Sequence, residues 1–467
     1  MEYRIHLPKN VKFIIKLLEK EGHEAFSVGG CVRDALMGRK PQDWDITTSA
    51  APTDIKGIFH RTIDTGIQHG TVTVMLERVG YEVTTYRIDG SYTDGRHPDQ
   101  VLFTKSLVED LKRRDFTINA MAYNDRVGIV DEFDGVGDLQ RKIIKCVGNP
   151  MERFTEDALR MLRAVRFAAK LGFTIEEGTA EAIKSMAPNI KKVSKERIQS
   201  ELNKLVTSDN PQILMQIYEL GMDRYILEGS VLVADENSDC EEVVDLTDGT
   251  AVDRMYQNII KVMKNTAPDH YLRWAAFMMY EGAGCKEVLK ALKFDNKTMN
   301  ICGKLVENIG YFVRFEDKAG CVAGVEDVAA GKKYLIRKLL VDMGADVFAE
   351  YYLPFMKAVV GAGIVAITNN NADVVSGSGA GHMTMEMLDE IETLFAEIIA
   401  NGDCIAKNQM AVKGADLIAV GVEPGKVMGE VIDRMFEEVL KNPEMNEKET
   451  LLKSKLKHPI NPSKSIS

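Results

Sequence analysis

The sequence predicts an α+β protein with a mixed first part and an almost entirely helical remainder. Short segments with alternating or β-branched apolar residues occur before about residue 139, where helical patterns separate them. Later segments have helical periodicity and few breakers, among them Glu156–Leu171 and Lys195–Val206. A chain of 467 residues is also too long for one core, so several domains are expected.

The elements of the mixed part follow from these patterns in chain order. An amphipathic helix is predicted over 10–21, and the next elements are strand Ala25–Val28, strand Asp45–Thr48, helix Thr53–Phe59, strand Thr71–Leu76 and strand Tyr81–Arg87. The segment Asp89–Pro98 is polar and rich in turn residues, and it predicts a mobile loop.

Two segments interrupt the helical remainder. Leu227–Asp253 contains nine acidic residues, no basic residue and little periodicity, which predicts a surface insertion or loop. Asn369–Gly381 is rich in Asn, Ser and Gly, and it predicts a linker.

Composition excludes several classes of protein. With 45% apolar and 28% charged residues, the chain is neither disordered, collagenous nor membrane-embedded. Its net charge of −11 argues against coating nucleic acid by bulk electrostatics. The charge is uneven, however: residues 1–205 hold 32 basic and 30 acidic residues, and residues 206–467 hold 27 and 40. A local basic path for a polynucleotide is therefore compatible with the acidic total.

Three features predict a cytoplasmic protein without membrane segments. The longest apolar run, Ala358–Ile367, is far shorter than the roughly 20 residues of a spanning helix. The first residues, Met1–Arg4, contain no apolar signal core. The seven cysteines include no Cys-x-x-Cys pair, so they fit neither a zinc site nor a disulfide framework.

The first chemical motif combines a Gly29-Gly30 turn with two carboxylates. A glycine turn directly after a strand lets backbone N–H groups approach a phosphate. Asp43 and Asp45 alternate along a predicted strand, so both carboxylates are expected on one face. Carboxylates without a nearby His or Cys suit magnesium. Either piece alone would favour a turn or a solvated strand, but together they favour two-metal nucleotidyl transfer.

These residues resemble the signature of class II tRNA nucleotidyltransferases, a branch of the polymerase-β-like superfamily. The resemblance extends over nearly the whole chain. Its motifs are Gly29–Thr48, Arg113–Ala120, Glu156–Phe167, Ser194–Ile198 with Glu201 and Lys204, and near the C-terminus Gly414–Leu417 and Gly421–Gly425.

The resemblance implies a fold and an activity. The expected domains are a nucleotidyltransferase head with a mixed β-sheet (1–138), a helical neck that selects the nucleotide (139–205), a helical body (206–345) with the acidic insertion (227–253), and a helical tail that binds tRNA (346–467). The implied reaction adds C, C and A to the tRNA 3′ end from CTP and ATP with two Mg²⁺ ions. The implied partner is the acceptor–T arm of tRNA, and no obligate protein partner is evident.

Asp157 and Arg160 are the predicted base-reading pair. They stand three residues apart on a predicted helix and so share one face. Cytosine and adenine both present an amino donor beside a ring-nitrogen acceptor, which an aspartate and an arginine complement. Guanine and uracil present a ring N–H to the arginine instead. Without the other motifs, a surface ion pair of little energy would be the better interpretation.

The remaining candidate residues surround the nucleotide. The resemblance implies that Gly29, Gly30, Arg33 and Arg114 hold the phosphates, and it prefers Arg114 to its neighbour Arg113. It also puts Arg163 and Arg166 at the nucleotide, although an ideal helix turns Arg166 about 180° away from Asp157. Glu82, on the neighbouring predicted strand, is the candidate third catalytic carboxylate. Pairing of Glu82 with Arg87 or Lys56 across the sheet is an equally good interpretation.

Related activities remain as alternatives. A-adding tRNA nucleotidyltransferases and poly(A) polymerases share these motifs. The segment from Thr65 to Val74 resembles the CCA-adding version, the loop Asp89–Asp99 is full length, and the chain lacks the basic C-terminal extension of bacterial poly(A) polymerases. From another class, a non-catalytic RNA-binding protein could keep the fold, but such a protein would not need both Asp43 and Asp45.

Overall fold

The computed structural model describes residues 3–90, 101–233, 249–325, 327–364 and 383–457. The chain forms two compact units, Met1–Glu236 with Val288–Phe294, and Asn237–Glu287 with Asp295–Ser467. Most of the predicted loop Asp89–Pro98, most of the acidic insertion and all of the predicted linker Asn369–Gly381 lie outside the described residues. The boundaries of the four predicted domains stay predictions.

A seven-stranded mixed sheet organises the first unit. The strands of the chain are β1 (Ala25–Val28), β2 (Ile46–Thr48), β3 (Thr62–Gly66), β4 (Thr71–Leu76), β5 (Val79–Thr85), β6 (Arg87–Asp89), β7 (Val101–Phe103), β8 (Ala122–Asn124), β9 (Gly128–Val130), β10 (Ile143–Ile144) and β11 (Thr174–Ile175). The order in the sheet is β3–β4–β5–β2–β1–β8–β9, with β2 parallel to β5 and the other neighbours antiparallel. The antiparallel pair β6–β7 and the parallel pair β10–β11 stand apart from this sheet.

Helices of the first unit cover the sheet and continue beyond it. They are α1 (Lys9–Lys20), α2 (Gly30–Leu36), α3 (Pro52–Ile58), α4 (Leu107–Lys112), α5 (Gly135–Arg141), α6 (Pro150–Glu156), α7 (Leu159–Leu171), α8 (Glu177–Met186), α9 (Lys195–Val206), α10 (Met215–Glu219) and α11 (Asp223–Ile226). Helices α7 and α9 pack against each other. This packing brings two sets of charged side chains together, as described below.

Side-chain alternation along β1 gives the sheet two buried faces. Ala25 belongs to a core that includes Val72 and the α1 residues Val11 and Ile14. Phe26 belongs to a second core with Leu107 and Leu111 of α4. Successive strand residues point to opposite faces, so one strand contributes to both cores. Each large apolar side chain buried in this way stabilises the fold by roughly 1.5–3 kcal/mol.

The rest of the described chain is helical. Its helices are α12 (Gly249–Asn265), α13 (His270–Phe277), α14 (Cys285–Ala291), α15 (Asn296–Glu307), α16 (Phe315–Gly320), α17 (Val328–Met343), α18 (Ala345–Val347), α19 (Leu353–Gly361), α20 (Met385–Ala400), α21 (Gly414–Ala419), α22 (Lys426–Lys441) and α23 (Lys448–Lys457). Tyr334 of α17 shares a core with Leu417 of α21 and Val439 of α22. Over the described ranges, no helix is long and apolar enough to cross a membrane.

The α+β prediction is confirmed, with local corrections. The strands Ala25–Val28 and Thr71–Leu76 and the helix Lys195–Val206 have the predicted bounds. The predicted strand Tyr81–Arg87 is instead divided between β5 and β6 at Tyr86, whose N–H donates to the carbonyl of Thr48 (2.7 Å). The short pair β10–β11 lies in the part that was predicted to be helical.

The end of the predicted acidic insertion is also different. Helix α12 already begins at Gly249, so the prediction of a loop that continues to Asp253 was wrong for residues 249–253. Val252, Met255, Tyr256 and Ile259 are buried at helical spacing. The prediction missed this apolar stripe because the preceding segment is strongly acidic. The stripe stabilises the helix by packing rather than by local propensity.

Candidate nucleotidyltransferase site

Gly29 makes the turn that opens the site. It follows β1 and has φ of +80°, a conformation that L side chains rarely adopt. A Cβ at this position would lie 3.0 Å from Nη1 of Arg114 and 3.6 Å from the carbonyl oxygen of Asn119. At Gly30, a Cβ would lie 3.6 Å from Nη2 of Arg33. Both glycines therefore lie where arginine side chains approach the backbone closely.

Asp45 lies next to this turn, and both Asp43 and Asp45 precede strand β2. The prediction that both alternate along a strand was wrong, because β2 begins at Ile46. The carbonyl of Asp45 nevertheless accepts a hydrogen bond from the N–H of Val28 (3.0 Å), which continues the β1–β2 pairing by one residue. The backbone of Asp45 is therefore fixed against the strand that leads into Gly29.

Glu82 lies beside Asp45 through the parallel pairing of β2 and β5, in which Ile46 is opposite Val83. The pKa of the Asp45 carboxyl is raised, first by desolvation and then by the negative charges of Glu82 and Asp43, while Arg114 opposes the shift. The suggested cross-strand partners of Glu82 contact other acids: Lys56 pairs with Asp64 and Arg87 with Asp89.

Asp43 and Asp45 offer the oxygen ligands of a magnesium site that substrate would complete. In the described part of the chain, no three His, Cys, Asp or Glu side chains converge closely enough to hold a metal ion. Magnesium commonly uses one or two carboxylates together with substrate phosphates, and a cation would relieve the mutual repulsion at Asp45. The residues therefore fit the ion, and the third carboxylate stays a prediction.

Asp110 binds the side chains of the two adjacent arginines, Arg113 and Arg114. It is fully buried and accepts hydrogen bonds from Nε and Nη2 of Arg113 (3.0 and 2.8 Å), from Nη2 of Arg114 (3.4 Å) and from the Thr47 hydroxyl (3.1 Å). Burial favours a raised pKa for Asp110, but the two guanidinium groups overcome it and lower the pKa. Of the two arginines, Arg114 is the one that lies near Gly29.

Arg33 is held in a buried position at the end of a hydrogen-bonded chain. Its Nη1 donates to Oδ1 of Asn119 (2.6 Å), and Nδ2 of Asn119 donates to Oδ1 of Asp115 (3.1 Å). Asp34 pairs with the same guanidinium group (2.7 Å). The side chain is thus fixed on two sides before any ligand binds.

Asp157 does not lie within a helix. The predicted helix Glu156–Leu171 was wrong at this point, because α6 ends at Glu156 and α7 begins at Leu159. Asp157 has extended dihedral angles, φ −148° and ψ 104°. Its Oδ1 accepts from the N–H of Leu159 (3.1 Å), so the carboxylate caps the start of α7.

Arg197 of α9 forms a two-point contact with this carboxylate. Its Nη1 donates to Oδ1 of Asp157 (3.2 Å) and its Nη2 to Oδ2 (2.7 Å). Arg160 is held separately: its Nη1 donates to Oε2 of Glu156 (2.6 Å) and its Nη2 to the carbonyl of Arg113 (3.1 Å). The two predicted base-reading side chains therefore each have their own fixed partner.

Arg163 and Arg166 contact different acids. Arg163 donates through Nε and Nη2 to Oδ2 of Asp115 (3.0 and 2.5 Å), and Arg166 pairs with Glu201 of α9. Burial favours a raised pKa for Asp115, yet the charge of Arg163 and the hydrogen bond from Asn119 lower it to about 2. The Asp115 carboxylate is therefore an acceptor for the Arg163 guanidinium group.

An aromatic ring joins these arginines. The guanidinium carbon of Arg166 lies 3.7 Å from the centre of the Phe167 ring, and those of Arg33 and Arg163 each lie 5.3 Å from it. Glu201 is also 3.9 Å from Nη1 of Arg163. Arg166 is thus part of the same network. Because Asp157 lies outside α7, the separation of about 180° expected on an ideal helix does not apply to this pair.

Sequence reasoning missed several residues that organise the site. It gave no role to Glu156, Asn119 or Phe167, and it named Arg197 and Glu201 only as part of a matching helix. The spacing of four residues between Arg197 and Glu201 does indicate one helix face. Their partners could not be read from that spacing, because they lie on other elements.

Family models match three parts of the chain. Residues 25–145 match the Poly A polymerase head domain, residues 172–230 match "Probable RNA and SrmB-binding site of polymerase A", and residues 384–454 match tRNA nucleotidyltransferase domain 2. The fold and the site thus define a nucleotidyltransferase-type protein with a polymerase-β-like head.

Individual relatives identify the family within the nucleotidyltransferases. A CCA-adding enzyme of Ligilactobacillus salivarius is 34% identical over 453 residues, which cover 96% of this chain and 97% of that protein. The chain therefore belongs to the family of CCA-adding enzymes. A CCA-adding enzyme of Limosilactobacillus reuteri is 53% identical over 198 residues, so this match spans about half of that relative (49%).

A solved structure agrees over nearly the full length. The crystal structure of the Bacillus stearothermophilus CCA-adding enzyme in complex with CTP has a TM-score of 0.67 and 29% sequence identity. The superposition covers 95% of this chain and 96% of that one. The predicted polymerase-β-like head and helical remainder are confirmed by this likeness.

Proposed function

We propose that this protein adds C, C and A to the 3′ end of tRNA from CTP and ATP without a nucleic-acid template. One observation carries the proposal: the phosphate-side and base-side residues adjoin in one compact unit. Arg114 lies at Gly29, beside the carboxylate group of Asp45, and the carbonyl of the neighbouring Arg113 accepts from Arg160 (3.1 Å). Family membership supports the same activity.

In the proposed reaction, the 3′-hydroxyl oxygen of tRNA attacks the α-phosphorus of the nucleotide. A new P–O bond forms as the bond to the β-phosphate breaks, and pyrophosphate leaves. Asp43 and Asp45, with Glu82 as the third carboxylate, would hold two Mg²⁺ ions. When bound, magnesium activates the hydroxyl and neutralises the charge on the leaving pyrophosphate. Gly29, Gly30, Arg33 and Arg114 hold the triphosphate.

Base selection would come from protein side chains. The Asp157 carboxylate accepts from the amino group of cytosine or adenine, and Arg160 donates to the adjacent ring nitrogen. Arg163 and Arg166 support the nucleotide from the same network. The B. stearothermophilus relative was crystallised with CTP, which supports CTP as a substrate here. ATP follows from the hydrogen-bonding pattern that adenine shares with cytosine.

The proposed nucleic-acid partner is tRNA, recognised by shape along its acceptor–T arm. The matches to a polymerase RNA-binding region and to a tRNA nucleotidyltransferase domain support an RNA partner. A cytoplasmic location is proposed with it, since that is where this substrate would be met. A-only addition, poly(A) synthesis and RNA binding without turnover are the alternatives that the experiment must separate.

The test uses purified protein, magnesium, CTP and ATP with three tRNAs that end before CCA, after the first C and after CC. Extension by three, two and one nucleotides is expected. Extension of only the last tRNA would indicate an A-adding enzyme, and long A-tails on arbitrary RNA would indicate a poly(A) polymerase. If no tRNA is extended while binding persists, the RNA-binding alternative is correct and CCA addition is rejected.

A further inference from the structure

We propose that Arg197 of α9 is a positioning residue that sets base selectivity by fixing the Asp157 carboxylate. This inference rests on the proposed function, because Asp157 is there the acceptor for the base amino group. Arg197 itself would not touch the nucleotide. It would determine which way the carboxylate faces and keep it in one orientation.

The backbone fixes the position of Asp157 but not the orientation of its carboxylate. Asp157 lies between α6 and α7 with extended dihedral angles, its N–H donating to the carbonyl of Arg153 (3.3 Å) and its carbonyl accepting from the N–H of Arg160 (3.0 Å). One hydrogen bond, from the N–H of Leu159 to Oδ1, links its side chain to α7. A single bond to one oxygen leaves the plane of a carboxylate free to rotate, whereas a bidentate guanidinium contact fixes it.

Arg197 makes that bidentate contact in a partly buried setting. The two donor–acceptor distances are 3.2 and 2.7 Å, and the side chains of Arg197 and Asp157 are 24% and 15% exposed. Each oxygen of an ionised carboxylate has two acceptor sites, so acceptor capacity remains for a base amino group. The contact can therefore persist while a nucleotide is read.

Helix α9 is fixed independently at the position of Arg197. Glu201, four residues later and on the same face, pairs with Arg166 of α7 and lies 3.9 Å from Arg163. Leu202 and Leu205 of α9 are fully buried. Arg197 thus lies on a helix whose position against α7 is fixed by other contacts. Such a helix suits a residue that positions the Asp157 side chain.

The consequence concerns discrimination against uracil and guanine. A fixed, ionised carboxylate presents only acceptors, so it meets the carbonyl oxygen of uracil or guanine with repulsion. A carboxylate that can rotate away removes this penalty and also weakens the contact to cytosine and adenine. Loss of Arg197 should therefore affect correct nucleotides more than incorrect ones.

The experiment compares Arg197→Gln, Arg197→Lys and the parent protein. The measured quantity is kcat/KM for CTP and UTP on tRNA ending before CCA, and for ATP and GTP on tRNA ending after CC. For Arg197→Gln we expect kcat/KM with CTP or ATP to fall roughly 10- to 100-fold, and the preference over UTP or GTP to fall at least about tenfold. Arg197→Lys, which keeps the charge but not the fork, should recover part of the preference.

Arg126→Gln is the matched control, because Arg126 is exposed on the head, where its Nε donates to Oε1 of Glu19 (3.0 Å). Its nucleotide preference should equal that of the parent. An equal loss of kcat/KM with all four nucleotides would overturn the inference, since that is the result of a merely structural role. If Arg197→Gln does not fold, the preference measured for Arg197→Lys decides in the same way. A parent protein that incorporates neither CTP nor ATP would instead reject the proposed function.

Discussion

The carboxylates beside β2 and the arginines between α7 and α9 show two opposite ways of arranging charge. Asp45 has two acidic neighbours, Glu82 and Asp43, and its pKa is raised. Arg163, Arg166 and Arg197 each contact an acid of their own, and the pKa of Asp115 is lowered to about 2. The first group places like charges together, and we call it the incomplete group; in the second each arginine is paired with an acid, and we call it the complete group. Under the proposed function, the first group would bind a cation and the second would read the nucleotide.

Removing a carboxylate from the incomplete group should have the largest effect on activity. Asp45→Asn keeps the side-chain shape but loses the charge that magnesium would use. We expect nucleotide incorporation to fall at least about 10³-fold, which corresponds to about 4 kcal/mol of transition-state stabilisation. Incorporation is measured with magnesium titrated over a wide range, and tRNA binding is measured in parallel and should change little.

Asp64→Asn is the control for that variant. Asp64 is exposed and pairs with Lys56 at 2.9 Å, so its loss should leave incorporation within about twofold. Activity of Asp45→Asn within tenfold of the parent would remove Asp45 from the metal site. The proposal that the carboxylates beside β2 bind a cation would then be wrong for Asp45.

Removing an acid from the complete group should lower the stability of the folded protein. Glu201 is buried, and Glu201→Gln leaves Arg166, also buried, without its countercharge. We expect the free energy of unfolding to fall by about 3 kcal/mol, because an uncompensated buried charge is costly. Urea unfolding of the whole protein, followed by a signal from the first unit, measures the change. Glu196→Gln on the exposed side of α9 is the matched control and should change it by no more than about 0.5 kcal/mol.

A stability of Glu201→Gln equal to that of the Glu196→Gln control would break the comparison. It would mean that Arg166 finds water or another acceptor, and that the α7–α9 contact is held by apolar packing alone. The cores around Leu202 and Leu205 would then account for the position of α9.

Sequence patterns predicted the scaffold of this site better than its connections. The bounds of β1, β4 and α9 were predicted correctly because β-branched alternation and helical periodicity are local properties. The interruption at Asp157 was missed because no glycine or proline marks it and apolar residues continue at helical spacing on both sides. Its side-chain partner, Arg197, is 40 residues away in the sequence.

The candidate residues show the same limit. The motif Gly29-Gly30 with Asp43 and Asp45 could be recognised from local sequence, although the two aspartates precede β2 instead of alternating along it. The partner of Arg166 depends on how α7 packs on α9, which no local spacing specifies. The motifs were therefore easier to predict than the contacts that connect their residues to other elements.

Asp223 is a third case for this comparison, because it is a buried carboxylate outside both groups. The effect expected from its substitution is the smallest of the three. Asp223 is buried, its Oδ1 has no hydrogen-bond partner, and desolvation raises its pKa to about 6. Unlike Asp115 it has no close arginine contact strong enough to offset burial. Because its folded-state pKa lies above the ordinary value of 3.8, the folded protein binds the proton more tightly, and stability is lost as the pH rises from about 4 to 6.

Asp223→Asn should remove that loss. A pKa difference of about two units corresponds to about 3 kcal/mol, and burying an amide in place of the carboxyl reduces the gain, so we expect about 1–2 kcal/mol at pH 8. The advantage should vanish below pH 4, where the parent carboxyl is protonated in both states. Thermal unfolding midpoints at pH 4, 6 and 8 measure it, with exposed Asp209→Asn as a control whose small offset should not vary in this way. An Asp223→Asn difference independent of pH would show that this carboxylate is compensated after all, as those of the α7–α9 network are.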